Sequence, residues 1–313
     1  MLKYVFLFFA LFLLPAKANT LNIVLVADMN DSHSRLAKIF SDYLAMNISN
    51  QTKVAFRIIP GAGGINAANY LYEVAPRDGT TIGILYKAVP LIGILDQKNG
   101  NIRFDATKFN WLGSLVDGRK DAGIILTNSP YFENMTIGSD HSLANPVDFI
   151  IRNTNYRFKK IAGYKNPEEI RLAILRNEVN GIATSILGMS TYDKDWIKKY
   201  NVVLQFGNGR TRHPLLSNIP TVAESTLTRE AEFALSIVEN QFALIRSYVA
   251  PPNMPKDKVA LLRNAFFAAS HDMEFIEKSK NIGVDISPIF HDEAHDIVNK
   301  TYSAPKDILE LIR

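Results

Sequence analysis

Apolar positions along the 313-residue chain switch repeatedly between two spacings. Leu21 to Ala27 is a compact apolar run, and Leu36, Ile39, Phe40, Tyr43 and Leu44 then recur three or four residues apart. The first pattern predicts a buried strand. The second predicts an amphipathic helix from Arg35, capped by Ser32 or Ser34 after a polar loop over 28–34. The alternation repeats: Val54 to Ile59 predicts a strand, and Ile65, Ala68, Leu71 and Tyr72 predict the helix that follows. Further strands are predicted over Thr81–Leu85, Gly123–Thr127, Gly181–Ile186 and Val202–Phe206, and Thr136–Ser142 ends one strand and opens a helix. Asn166 as cap and Pro167 at the first helical position open a helix ending near Asn177, with Glu168 and Glu169 at the positive end of its dipole. After Gln241–Ala250, the residues Val259, Leu261, Leu262 and Phe266 mark another helix. Two amphipathic helices near 272–280 and 291–313 close the chain. Strands alternating with helices predict the α/β class.

One strand-to-helix junction carries candidate chemistry. Pro60-Gly61-Ala62-Gly63-Gly64 stands between the second predicted strand and its helix. Three glycines in four residues remove the Cβ atoms that would hold a ligand away, and the helix start directs backbone N–H groups outward. That is an anion-binding geometry. A dinucleotide fingerprint needs glycine where Asn66 stands, and no G-x-x-x-x-G-K-[ST] occurs, so the corner is not read as a pyrophosphate site. Tyr86 and Lys87 follow the Thr81–Leu85 strand, at the end of an open α/β sheet where ligands bind.

Composition narrows the classes further. There is no cysteine, which removes a disulfide framework, a thiol nucleophile and a lipid-modified cysteine. Residues 1–18 read as a signal peptide: Lys3 gives a basic start, Tyr4 to Leu14 is apolar, and Ala16-Lys17-Ala18 has the small-x-small form of a cleavage site. Its apolar run is too short to span a bilayer. An exported, soluble protein starting near Asn19 is expected. Removing Lys3 and Lys17 takes the formal net charge from +4 to +2, too little to argue for nucleic acid or an anionic membrane. At 47% hydrophobic residues the chain can bury a core, with room for two domains. No G-x-S-x-G elbow is present, and the Ser, His and Asp residues at 31–34 and 139–142 are neighbours on single loops, a poor arrangement for a nucleophile, base and orienter. His291-Asp292-Glu293-Ala294-His295 has the i, i+4 histidine spacing of a zinc site without the H-E-x-x-H order. No metal or other cofactor is expected.

The Pro60–Gly64 corner, its helix, and then Ala75-Pro76-Arg77-Asp78-Gly79-Thr80-Thr81-Ile82-Gly83 together resemble the signature of the tripartite tricarboxylate transporter receptors, the periplasmic "Bug" solute-binding proteins. The resemblance continues through Phe104–Leu115, Arg212-His213-Pro214, Ile219–Ser225 and Ala250–Pro255. It implies a two-lobed periplasmic binding protein of type II, each lobe an α/β sheet flanked by helices, with a hinge between. Residues 19–122 and 242–313, the C-terminal helices included, would form the first lobe, and residues 123–241 the second. A small organic carboxylate would bind between the lobes without being chemically changed, held by backbone amides, and pass to membrane transporter subunits.

The candidate ligand residues on this reading are Asp31, Ser32, His33 and Ser34, then Gly61, Ala62, Gly63 and Gly64, then Tyr86 and Lys87. The second lobe would add Ser139, Asp140, His141, Ser142 and Thr184. The chain departs from the family pattern at Asn30-Asp31, where the family has glycines, and at Ser34 and Thr184, where it has acids. An acid at Asp31 would favour an amino-acid-like solute through its ammonium group. Two other readings stand beside transport: a sensor signalling to a membrane receptor or kinase, and an exported hydrolase using the Ser/His loop.

Overall fold

The computed structural model describes residues 20–26, 32–96, 100–129, 134–139, 144–164, 167–192 and 195–312. The elements run β1 (Thr20–Leu25), α1 (Ser32–Ile48), β2 (Lys53–Ile58), α2 (Ile65–Glu73), β3 (Thr81–Leu85), α3 (Val89–Leu95) and β4 (Asn110–Ser114). Then come β5 (Gly123–Thr127), β6 (Thr136–Ser139), α4 (Ala144–Asn153), β7 (Lys159–Ala162), α5 (Pro167–Leu175), β8 (Gly181–Ser185), α6 (Ile186–Tyr192), α7 (Trp196–Lys199) and β9 (Asn201–Phe206). The chain closes with α8 (Arg229–Asn240), β10 (Ser247–Ala250), α9 (Lys256–Ser270), α10 (Met273–Asn281), β11 (Ile289–Phe290), α11 (His291–Tyr302) and α12 (Lys306–Ile312).

These strands form two sheets. One has six strands in the order β11-β4-β10-β3-β1-β2, and the other five in the order β7-β6-β8-β5-β9. In the first, β1 runs parallel to β2 and β3, while β10 is antiparallel to β3 and β4. The second pairs β6 parallel to β7 and β8, with β5 antiparallel to β8 and β9. This is a mixed two-sheet α/β architecture, as the sequence reading expects.

Burial explains why the segments take these places. Every residue of β3 is buried, as a central strand covered on both faces requires, whereas β2 at the edge is half-buried to exposed. One face of the first sheet packs an aromatic cluster under α1, α9 and α10: the Phe40 ring lies 5.1 Å from Tyr248, 5.3 Å from Phe266 and 4.9 Å from Phe275. Such tilted and edge-on pairs add to the burial of the rings themselves. The opposite face buries Leu71, Val89, Trp111 and Val298, and the second sheet has its own core of Ile125, Ile137, Phe149, Leu204 and Leu235.

Two crossings join the strands of one sheet to those of the other, and a third passage, after α11, carries α12 to the second sheet's core. The first crossing runs from the end of β4 through Leu115–Ala122 to β5; the second leaves α8 and runs through residues 241–246 to β10. They are tied side by side, the Leu115 amide donating to the Arg246 carbonyl at 3.1 Å and the Arg246 amide to Ser114 Oγ at 3.1 Å.

Three details differ from the sequence expectations. Helix α1 begins at Ser32 rather than Arg35, so Ser32, His33 and Ser34 belong to its first turn and not to a loop. The single helix expected over 291–313 is two, because Pro305 has no amide proton and disfavours helical geometry in the residue before it. The second piece, α12, does not pack on the first sheet. It lies against α4 and α8, with Ile308, Leu309 and Ile312 buried in the second sheet's core and Asn153 Nδ2 donating to the Leu311 carbonyl at 3.1 Å.

Candidate functional site

Strand direction gathers the candidate residues. The C-terminal ends of β1, β2, β3 and β4 share one edge of the first sheet, and those of β6, β7, β8 and β9 share one edge of the second. Both crossings join these edges, so residues just beyond the strand ends line the junction between the lobes.

The Pro60–Gly64 corner occupies the first edge. Gly61, Ala62, Gly63 and Gly64 all have positive φ, at 106°, 48°, 61° and 94°, so four successive residues hold a left-handed backbone that only glycine adopts freely. Asn66 closes the corner, its Nδ2 donating to the Pro60 carbonyl at 3.0 Å; a Cβ on Gly61 would stand 2.7 Å from that atom. The residue that rules out a dinucleotide fingerprint is thus the one that shapes this turn. Gly64 sits against the ends of β1 and β3, where an added Cβ would meet Val89 at 3.1 Å, Tyr86 at 3.4 Å and Val26 at 3.5 Å. Within the turn the Gly64 amide bonds the Gly61 carbonyl and the Ile65 amide that of Ala62, while the Ala62 and Gly63 amides precede any acceptor in the turn. The Ala62 and Gly63 N–H groups are thus not consumed within the turn itself.

The other candidates fall into three groups. Ser34 is buried in the first turn of α1; Asp31 lies outside the described residues, as do the side chains of Ser32 and His33. Tyr86 packs beside Gly64, but Lys87 turns toward the hinge, its Nζ 3.7 Å from the centroid of the Phe242 ring in the second crossing. In the second lobe Ser139 and Thr184 are buried at the ends of adjacent strands, and Asp140, His141 and Ser142 lie outside the described residues. Gly188 continues from Thr184, its amide donating to Ser185 Oγ at 3.0 Å.

Residues that the sequence reading missed cluster at the crossings. Asp121 Oδ1 accepts the Leu187 amide at 3.0 Å, which puts a carboxylate on the first turn of α6. Glu239, buried at the end of α8, accepts the Gly207 amide at 2.7 Å and the Gly209 amide at 2.9 Å, fixing the loop after β9. Burial pushes both carboxyl groups above their ordinary range, against the lowering effect of those amides. Arg246 is a buried guanidinium whose charge reaches Tyr248, on the α1 side of the first sheet. A lone cation ending the apolar run Phe242-Ala243-Leu244-Ile245 was its only sequence signal.

Two features proved structural. Arg212 makes a bidentate pair with Glu224, Nε to Oε2 at 3.0 Å and Nη2 to Oε1 at 2.8 Å, and Glu224 completes a capping box with Thr221. In the histidine pair of α11, His295 Nε2 faces the Thr107 carbonyl at 3.2 Å and its Nδ1 meets Asn299 Nδ2 at 3.0 Å. Both ring nitrogens are thus engaged. No cluster of three or more His, Cys, Asp or Glu residues suited to a metal ion occurs among the described residues, nor does any helix long and apolar enough to cross a membrane.

No family model matches the chain, and no curated protein does. Solved structures do. The chain is similar to a TctC solute binding protein from Polaromonas, with a TM-score of 0.61 and 12% identity over 94% of this chain and 97% of that one. It is similar to MatC from Rhodopseudomonas palustris with bound malate, with a TM-score of 0.65 and 14% identity over 94% and 99% of the two chains. A third likeness is to an R. palustris protein with adipate, with a TM-score of 0.64 and 14% identity over 94% and 97%. At this level of identity the likeness establishes the fold, which is the one the sequence motifs imply.

Proposed function

We propose that the chain is a periplasmic solute-binding protein that captures a small organic carboxylate between its lobes and delivers it to a tripartite tricarboxylate-type membrane transporter. The observation that carries this reading is the left-handed Gly61–Gly64 corner before α2, on a sheet edge joined to the second lobe by both crossings. Amides at a helix start suit a desolvated carboxylate, and a cleft between lobes suits a small ligand. The shared fold with proteins holding malate and adipate supports the same class of solute.

On this reading Gly61–Gly64 and the first turn of α1 with Asp31–Ser34 contact the solute from the first lobe. Tyr86 borders them, and Ser139–Ser142 and Thr184 approach from the second. The lobes divide near 122/123 and 241/242, with α12 grouped with the second. Contact with both edges at once would stabilise the closed arrangement. Lys87 is drawn over Phe242 of the second crossing, so on this reading main-chain amides are the principal donors to the solute's carboxylate. The signal-like N-terminus supports export, although residues 1–19 lie outside the described residues.

A thermal-shift screen against mono-, di- and tricarboxylates and amino acids tests the proposal. The expected result is a saturable rise in Tm with at least one acid, because a ligand of the native state stabilises it by about 2.7 kcal/mol at a hundred times its Kd. A flat response to every acid in the panel would remove the carboxylate reading.

A further inference from the structure

The first crossing ends on a carboxylate in an unusual setting. Asp121 precedes β5 by two residues, and its Oδ1 is held by the Leu187 amide. Its Oδ2 has no exposed surface and no hydrogen-bond partner. The groups that face the carboxyl come from three elements: the Lys87 ammonium beyond β3, the Ser185 hydroxyl and Leu187 amide at the β8–α6 corner, and the Ala122 amide of its own segment. Arg119 lies two residues away but is engaged by Asp117 at 2.8 Å and Glu293 at 2.6 Å. Lys87 in turn lies over Phe242, and Phe242 packs edge-on to Phe206 of β9 at 5.3 Å. A hollow of about 380 Å³ on this side of the hinge is lined by Arg119, Lys120, Asp121, Arg212 and His213 among others, which gives solvent a route to the carboxyl's surroundings.

A buried, unpartnered carboxylate oxygen is costly when ionised and much less so when protonated. Burial accordingly raises the Asp121 carboxyl above its ordinary value, the amide, hydroxyl and Lys87 offsetting that only in part. We propose that Asp121 is a proton-linked latch of the hinge, its neutral form belonging with the packed arrangement of crossings described above. Ionisation draws the first crossing away from the β8–α6 corner, so that Oδ2 reaches solvent or the Lys87 ammonium. The linkage has a definite sign. The packed arrangement binds the proton more tightly, so falling pH populates it and rising pH releases it. The coupled parts are the corner following Thr184 and, through Lys87 and Phe242, the second crossing. This inference stands on the hinge and does not require the solute reading to be correct.

Carboxyl-carbon NMR of the protein across the acid-to-neutral range tests it directly. The expected result is an Asp121 Cγ titration with a midpoint above the ordinary 3.8, reproduced by the Leu187 amide and by the Phe242 and Arg246 amides of the second crossing. Asp121→Asn should abolish that shared midpoint. His213→Gln should leave it in place, which separates Asp121 from the imidazole lining the hollow. A midpoint at or below 3.8 would overturn the proposal. So would a raised midpoint confined to Asp121 and Leu187 with the second crossing silent, since that describes a buried acid and not a latch. Both outcomes are read on the unsubstituted protein, so the test survives if Asp121→Asn fails to fold.

Discussion

Single residues decide the chemistry of the corner. Gly64 combines a φ of 94° with neighbours on three sides, so Gly64→Ala meets two penalties at once: a left-handed backbone and a Cβ 3.1 Å from Val89. Together these should lower stability by about 1–3 kcal/mol. The same substitution should abolish any thermal shift caused by a carboxylate, whereas Ala62→Gly, which relieves a φ of 48°, should keep the shift and raise the baseline Tm. Glu224 makes a different prediction. The Arg212 pair, aided by the Thr221 amide, lowers its carboxyl from 4.5 to about 2. A lowered acid contributes stability above its unfolded value and loses it as pH falls through the folded one. The Glu224→Gln protein should therefore melt below wild type at pH 7, with the gap closing between pH 4.5 and about 2, as a pH series of melting curves would show.

What the sequence revealed at this scale follows from how local the physics is. A left-handed turn is a property of its own residues, so Pro60–Gly64 announces itself. Asp121, Glu239 and Arg246 do not. Asp121 meets an amide 66 positions away and Glu239 meets one 32 positions away, and nothing near either in the chain encodes the meeting. Lys87 reads as a cation at a strand end, but its direction is set by Phe242, which belongs to a crossing far along the sequence.

Helices and strands were legible wherever hydrophobic period and turn residues agreed. Strands β3 and β5 fall where the apolar runs place them. Helix α12 shows the limit. Its apolar stripe says that one face is buried but not which sheet buries it, and Pro305 is the feature that frees it from α11. Because Ile308 fills the core shared by α4 and α8, Ile308→Ala should cost about 2–5 kcal/mol. Hydrogen exchange should place the loss in the second lobe, with faster exchange in α4 and α8 and little change in α1 or α9. Loosening of the first lobe instead would contradict the observed packing.

For the whole molecule, two sheets are joined edge to edge by paired crossings, and the proposed function makes the junction a cleft whose walls would close on a solute. A ligand that touches both walls converts binding into closure. The corner at Gly61–Gly64 and the β8–α6 turn after Thr184 stand on opposite walls, and on the proposed function an interlobe solute acts on both. Hydrogen–deuterium exchange with and without the carboxylate giving the largest thermal shift tests this most directly. The account predicts that residues 61–66 and 184–188 gain protection together, at the same ligand concentration. Protection confined to one lobe, or absent from both segments, would contradict capture between the lobes.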